Sequence, residues 1–338
     1  MSSGNLENDH GRILDNIKFK RVLITGITGL LGSWLAEELM KKNVEVLGVA
    51  LDNEKDDLLI SKKIYSNLDI QYFDIANEEM VSNYFKNYNF DIVIHLAAQT
   101  QVIDADKNPL NTFNSNIKGT WNILDACLRK DTPVVVASSD KAYGVSEDLP
   151  YLETHPLNGI YPYEISKSIT DLLVKSYFHT YDLNVTSLRC GNIYGGGDLN
   201  WDRLIPGLCK WLINKETPIL RTDGSFKRDW VYVEDVAHAY MMTASSLYDN
   251  PKSVALSYNF ASEDYKTVMD VYEEISNQIA GKFIEPKFQI NSKNEIPDQY
   301  LDSTKIHNDL GIKSNFLFSQ GIKNTVSWYS NYFLKYRS

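Results

Sequence analysis

The sequence predicts an α/β protein, a doubly wound parallel sheet with a smaller C-terminal lobe, and three observations carry that prediction. Apolar runs rich in β-branched residues alternate with longer amphipathic stretches, the pattern of a parallel sheet covered by helices on both faces. A glycine-rich turn joins the first apolar run directly to the first helical stretch. Beyond about residue 194 the alternation loses its regularity, and Gly195-Gly196-Gly197, Pro206, Pro218, Pro251, Pro286 and Pro297 punctuate shorter elements.

Taken in order, the candidate strands are Arg21–Thr25, Glu45–Ala50, Ile70–Phe73, Ile92–Leu96, Val134–Ser138 and Val185–Cys190. Each is short and mostly apolar, as strands buried on both faces must be. Between them, Gly32–Lys42, Met80–Asn87, Thr112–Leu128 and Ile165–Thr180 set apolar residues at three- and four-residue spacing and predict helices. Six strands with crossovers reach the size of a dinucleotide-binding sheet. Residues 17–193 are expected to form that domain. Val231–Ala239 and Tyr258–Ala261 resemble segments that return to it, so roughly 229–261 is assigned there too. Residues 194–228 and 262–338 are expected to form the smaller, substrate-binding lobe, and 1–16 a flexible leader.

Composition narrows the function classes. A chain of 338 residues, 43% hydrophobic and 23% charged, has the make-up of a soluble globular protein. Its net charge of -10, with no basic run to offset it, argues against nucleic acid as a partner. Cys127, Cys190 and Cys209 are odd in number and lack metal-ligand spacing, which predicts free or buried thiols in a reducing compartment and no metal. No run approaches the ~20 apolar residues of a membrane span, and a cytoplasmic location is expected.

The glycine turn is Gly26-Ile27-Thr28-Gly29-Leu30-Leu31-Gly32, preceded by the first strand and followed by the first helix. Glycines there let the turn close tightly and let main-chain amides approach a pyrophosphate at the positive end of the helix. The order is that of a Rossmann-type domain. Asp52 stands at the end of the second strand, about 20 residues past the last glycine, where an acid accepts from a ribose hydroxyl and repels a 2′-phosphate. NAD is therefore favoured over NADP as cofactor, although Asp52 could instead cap a turn beside Asn53. Asp74-Ile75 and Leu96-Ala97-Ala98-Gln99 follow the third and fourth strands and would share the ligand-binding edge of the sheet. His95 reads as a packed strand-end histidine.

Ser138-Ser139-Asp140-Lys141 ends the fifth strand, and Tyr163 and Lys167 follow at one-turn helical spacing. A phenol is a poor base at neutral pH, but a nearby ammonium and a nicotinamide cation favour its ionised form, so Tyr163 beside Lys167 can take a hydroxyl proton. Ser139 can hydrogen-bond the same hydroxyl. Asp140 could protonate a departing hydroxyl, and Lys141 could remove a proton next to a carbonyl. A structural Asp/Lys ion pair is the alternative.

Five ordered motifs together resemble the extended short-chain dehydrogenase/reductase family acting on nucleotide sugars. They are Gly26–Gly32, Asn116-Ile117-Lys118-Gly119-Thr120, Tyr163/Lys167, Arg189-Cys190-Gly191-Asn192-Ile193-Tyr194-Gly195 and Arg228-Asp229-Trp230-Val231-Tyr232-Val233-Glu234-Asp235-Val236. The resemblance covers roughly residues 20–330. Ser139-Asp140-Lys141 is similar to the sugar-nucleotide 4,6-dehydratases. Gly29–Leu35, the Asp-Lys pair in place of Asp-Glu, and Gly195–Pro206 resemble the CDP-glucose 4,6-dehydratase group within them. Dehydratases of UDP-linked N-acetylhexosamine also carry Asp-Lys here. Val102-Ile103-Asp104-Ala105-Asp106 departs from the CDP-glucose pattern, which has arginines there, and Tyr143-Gly144 looks more like the wider family.

The resemblance implies that Gln99, Asn192 and Arg203 face the sugar and phosphates and that Arg228 binds the diphosphate, a task suited to a planar guanidinium. It implies C4 oxidation, loss of water across C5 and C6 and hydride return to C6, with NAD tightly bound and recycled. It further implies a homodimer built on Thr112–Leu128 and Ile165–Thr180 as a four-helix contact. The alternatives are an NDP-sugar C4 epimerase, a C5-inverting UDP-N-acetylglucosamine 4,6-dehydratase, and a non-enzymatic nucleotide-sensing protein.

Overall fold

A computed structural model describes residues 17–52, 57–290 and 296–336. The leader 1–16 and Asn53 lie outside these residues. Seven parallel strands form the central sheet: β1 (Arg21–Thr25), β2 (Glu45–Ala50), β3 (Asp69–Tyr72), β4 (Ile92–His95), β5 (Val134–Ser139), β6 (Val185–Cys190) and β11 (Ser257–Phe260). Their order is β11-β6-β5-β4-β1-β2-β3, so the winding reverses at the β1/β4 border. Three small pairs complete the described strands: β7 (Asn192–Tyr194) with β10 (Trp230–Tyr232), β8 (Ile219–Leu220) with β13 (Lys287–Phe288), and β9 (Lys227–Arg228) with β12 (Lys266–Thr267).

Alternation along each buried strand assigns its side chains to two cores. Val22, Ile24, Ile94, Val135 and Leu188 pack beneath the helices Leu30–Lys41 and Val233–Asp249. Leu23, Val93, Val134 and Val136 pack on the other face with Ile123, Leu124 and Val174. A third cluster joins Leu208, Leu212, Tyr272, Ile275, Ile322 and Tyr329 from the C-terminal helices. Truncating a fully buried Leu or Ile in these clusters to Ala costs about 2–5 kcal/mol.

The register places the chemistry-bearing residues on one edge. Thr25 pairs with Val49 and with His95, while Ser138 and Ser139 pair with Arg189 and Cys190. All lie at the carboxyl ends of their strands, where folds of this winding bind ligands.

Several predicted bounds shift for local reasons. The second helix starts at Glu78, two residues before Met80, because Asn77 accepts from the Met80 amide as its N-cap and two acids suit the first turn. The first starts at Leu30, within the glycine turn. Thr112–Leu128 is not one regular helix: Pro109–Phe113 leads into a π-helical turn, Asn114–Lys118, and then into Gly119–Lys130. Such turns widen a helix locally and gather at functional sites. All three cysteines are free and buried, as their spacing predicts. Among the described residues no helix is long and apolar enough to cross a membrane.

Candidate active site

The glycine turn makes a cradle of main chain. Gly26 has φ +73, and a Cβ there would lie 2.8 Å from the Ala97 amide nitrogen, so the ends of β1 and β4 approach more closely than any side chain permits. A Cβ on Gly32 would meet the Gly26 carbonyl oxygen at 2.4 Å and the Ile27 Cα at 2.8 Å. The helix that begins at Leu30 has no side-chain cap and no acid in its first turn, leaving its amides to an outside anion. Thr28, Gly29, Leu30 and Leu31 form that turn and helix start. Asp52 follows β2, and Asp74 and Ile75 follow β3, where the Asp74 carboxylate accepts from the Ala76 amide at 2.8 Å. Leu96, Ala97 and Ala98 follow β4, the Ala97 amide donating to the Thr25 hydroxyl at 3.2 Å. This donor set fits a dinucleotide with an unphosphorylated ribose.

Gly32→Ala is expected to open this turn, since both atoms it meets are backbone. An overpacking penalty of about 1–3 kcal/mol weakens dinucleotide binding roughly ten- to a hundredfold, read by fluorescence titration with NAD on protein whose circular dichroism is unchanged.

His95 is buried between two hydroxyls, Nδ1 on Thr25 at 2.7 Å and Nε2 on Thr120 at 3.1 Å. Burial, then the charge of Lys167, pushes its pKa down to about 3. It is a packed neutral imidazole, as its strand-end position predicts.

At the end of β5 the chain turns through Asp140–Tyr143. The Ser139 hydroxyl donates to Asp140 Oδ1 at 2.8 Å, and Lys141 Nζ lies 3.4 Å from Asp140 Oδ2. Asp140 is only 2% exposed. Lys141 also donates to Gln299 Oε1, whose Nε2 reaches back to the Asp140 carbonyl at 3.2 Å. Burial depresses the Lys141 pKa, opposed by Asp140 and aided by Arg228.

Tyr163 and Lys167 lie on the helix Pro162–Tyr181 and are both buried. Lys167 Nζ donates to the Ala137 carbonyl at 2.9 Å, which ties this helix to β5. Burial pushes the Lys167 pKa down to about 8, with Asp171 opposing. Burial and the Asp140 charge push Tyr163 up to about 12, while Arg203 and the Ser139 hydroxyl favour its ionised form. The fields of Asp140, Ser139 and Arg203 thus meet at one phenol.

Gln99, after β4, exchanges hydrogen bonds with Asn116 in the π-turn, its amide donating at 2.7 Å and its carbonyl accepting at 2.9 Å. Its side-chain Oε1 is buried without a partner. Arg203 spans Asp198 at 2.9 Å and Thr100 at 2.8 Å. Asn192 begins β7, separated from the end of β6 by Gly191 alone. Arg228 donates to the carbonyls of Lys227, Pro297 and Ile296. Asp52, Asp74 and Ile75 lie on the far side of β1 from the Ser139 turn, whereas the cofactor candidates Leu96, Ala97 and Ala98 follow β4, on the same side of the reversal point as that turn.

Two features escaped the sequence reading. Gln299 is one, brought against Lys141 and the Asp140 carbonyl from a segment remote in sequence. The other is Asp171, one helical turn past Lys167, which accepts from Ser138, from Ser187 at 2.6 Å and from Arg189 Nε at 3.1 Å. The (i, i+4) spacing from Lys167 was its only local signal.

Asp229 is fully buried; its Oδ1 accepts from the Ser262 amide and hydroxyl, and its Oδ2 has no partner. Burial raises its pKa to about 6, with the Ser262 bonds opposing and Asp140 adding to the rise. The folded state therefore holds this proton more tightly than the unfolded chain, and stability falls as pH rises from about 4 through 6. Asp229→Asn keeps the acceptor toward Ser262 and should remove that fall, seen as a flatter urea-unfolding profile over this window.

Residues 22–257 match the model of the "NAD dependent epimerase/dehydratase family". The chain is 27% identical over 328 residues to CDP-glucose 4,6-dehydratase of Salmonella typhimurium, covering 92% of this chain and 90% of that one. It is 31% identical over 323 residues to a putative UDP-glucose 4-epimerase of Methanocaldococcus jannaschii, covering 92% and 98%. Among solved structures, UDP-glucose 4-epimerase of Thermus thermophilus in complex with NAD superposes with a TM-score of 0.80 at 26% identity, covering 91% of this chain and 98% of that one. With the glycine cradle, the Tyr163/Lys167 pair and a match over more than half its length, the chain belongs to the NAD dependent epimerase/dehydratase family, within the extended short-chain dehydrogenases/reductases.

Proposed function

We propose that the chain is an NAD-dependent nucleotide-sugar 4,6-dehydratase, a hydro-lyase that converts an NDP-hexose, CDP-glucose foremost, to the NDP-4-keto-6-deoxyhexose. The observation that carries this reading is the buried Asp140, held between the Ser139 hydroxyl and the Lys141 ammonium on the turn that faces Tyr163. A C4 epimerase uses Tyr163 and Lys167 but needs neither an acid nor an amine beside them.

Asp140 and Lys141 share one mobile proton. Moved from Nζ to Oδ2, it yields a neutral amine and a carboxylic acid in one step, the two species that elimination requires. Burial depresses the Lys141 pKa, which favours release of that proton from Nζ. Bound NAD supplies the hydride acceptor at C4 and the hydride donor at C6, and ends unchanged. Gly26, Thr28, Gly29, Leu30, Leu31, Gly32, Asp52, Asp74, Ile75, Leu96, Ala97 and Ala98 would hold it, with Tyr163 and Lys167 at its reactive end.

In this scheme the ionised Tyr163 oxygen takes the C4 hydroxyl proton while Ser139 orients that hydroxyl. A C4 ketone acidifies the C5 hydrogen, and Lys141 Nζ takes that proton. Asp140 gives its proton to the C6 oxygen, which leaves as water. Lys141 then returns a proton to C5, and Tyr163 gives up the proton it took as Asp140 regains one, so that every group ends as it began. Arg228, Arg203, Asn192 and Gln99 would bind the diphosphate and sugar, the guanidinium forks matching phosphate oxygens. The exposed Leu110, Trp121 and Leu172 on neighbouring helices support a homodimer through that face.

The purified protein should be incubated with CDP-, UDP-, GDP- and dTDP-hexoses, with and without a 2-acetamido group, and the products read by mass spectrometry and NMR. A 4-keto-6-deoxy product one water lighter, fastest from CDP-glucose, is expected. An isomer of unchanged mass would establish the epimerase instead, and inversion at C5 the C5-inverting dehydratase. Silence on every substrate would favour a nucleotide sensor.

A further inference from the structure

We propose that Gln299 is a positioning residue for the amine of Lys141, placing its lone pair toward the substrate's C5 hydrogen; this rests on the dehydratase reading above. Gln299 is 0% exposed, and both ends of its amide are engaged with the reacting turn: Oε1 accepts from Lys141 Nζ, and Nε2 donates to the Asp140 carbonyl at 3.2 Å. It arrives from a remote segment that is itself pinned. The Gln299 amide donates to the Lys227 carbonyl at 3.1 Å, Asp298 accepts from the Lys227 amide at 3.0 Å, and Arg228 binds the carbonyls of Ile296 and Pro297. On its far side Tyr151 bonds the backbone of Tyr300 and Asp302 at 3.0 Å each. The amide therefore cannot drift from Lys141 without breaking several backbone contacts.

An amide suits this position better than a carboxylate. It accepts one Lys141 hydrogen and fixes the direction of Nζ, yet it carries no charge that would hold the amine protonated. The charges already facing Lys141 are Asp140 on its own turn, Glu164 on the helix Pro162–Tyr181 and Arg228 on β9, with the Tyr151 phenol beyond Gln299. The first two stabilise the ammonium and Arg228 opposes it. A neutral acceptor leaves that balance unchanged, whereas a carboxylate would add a third anion in direct contact.

The test compares Gln299→Glu and Gln299→Leu with the wild-type protein. Lys141 is titrated in each, without sugar substrate, by NMR of 13C-methylated lysines, assigned with Lys141→Arg. Gln299→Glu should raise the Lys141 midpoint by one unit or more and shift the acid limb of the kcat profile upward by the same amount. Gln299→Leu should leave the midpoint at or below that of the wild type and reduce kcat at least tenfold with little change in KM, because the amine is no longer aimed. Equal midpoints in wild type and Gln299→Glu, or a Gln299→Leu variant with undiminished kcat, would overturn the proposal. The titration is independent of what the enzyme makes, so a wild-type product that retains its water would fail the dehydratase reading while the Lys141 midpoints still report on Gln299.

Discussion

Asp140→Asn is expected to slow formation of the dehydrated product by about 10²–10⁴-fold, the contribution of one positioned proton donor. The substitution preserves shape, and the amide can still accept from the Ser139 hydroxyl that now lies 2.8 Å from Oδ1. It cannot pass a proton to a departing oxygen. C4 oxidation should survive, because the Asp140 charge raises the Tyr163 pKa and its removal eases ionisation of that phenol. The variant should therefore accumulate a 4-keto hexose and the near-ultraviolet absorbance of reduced nicotinamide. Undiminished turnover would show that the acid at Asp140 plays no part in losing water.

Arg189→Met is expected to cost about 3–5 kcal/mol of stability, the range for removing one partner of a buried ion pair. Arg189 and Asp171 are both nearly inaccessible, and the guanidinium reaches Asp171 Oδ1 at 3.1 Å while Nη1 donates to the Tyr143 hydroxyl at 2.7 Å. Without it, the Asp171 charge keeps only Ser138 and Ser187. Removing both charges in Arg189→Met/Asp171→Leu should recover most of the loss, since a buried pair is often matched by apolar residues of similar volume. Urea unfolding measures both variants; a single-variant cost below about 1 kcal/mol would mean that the pair is not the anchor between β6 and the helix carrying Tyr163.

The parts of the fold read correctly from the sequence were those encoded locally. Strands such as Val22–Ile24 and Val134–Val136 are buried on both faces, so their apolar runs are their own signature. The Ser139–Lys141 turn and the Tyr163/Lys167 pair declared themselves as rare side chains at a strand end and on one helical face. Tyr258–Ala261 reads from the sequence only as a segment returning to the large domain, whereas the structure makes Ser257–Phe260 the seventh strand of the sheet. Its Asn259 looks like a turn residue, yet it is buried because its side chain binds the Tyr143 hydroxyl and the Tyr151 carbonyl, and its amide binds Glu153. Gln299 was invisible for the same reason. Its partner Lys141 is 158 positions away, and no periodicity reports a contact of that range.

The π-turn at Asn114–Lys118 was hidden inside a helical pattern because one extra residue per turn barely disturbs apolar spacing. What exposes it is function-like bonding: the Asn116 carboxamide binds both Gln99 and the Ser166 hydroxyl, joining the β4 loop to the helix of Tyr163.

The central claim is that oxidation at C4 and reduction at C6 occur in one active site with water lost between them. Substrate carrying deuterium at C4 tests it most directly. CDP-glucose so labelled should give a 4-keto-6-deoxy product whose deuterium resides on C6. Deuterium recovered on C4 of a sugar that has lost no water would contradict the claim and leave epimerisation as the reaction.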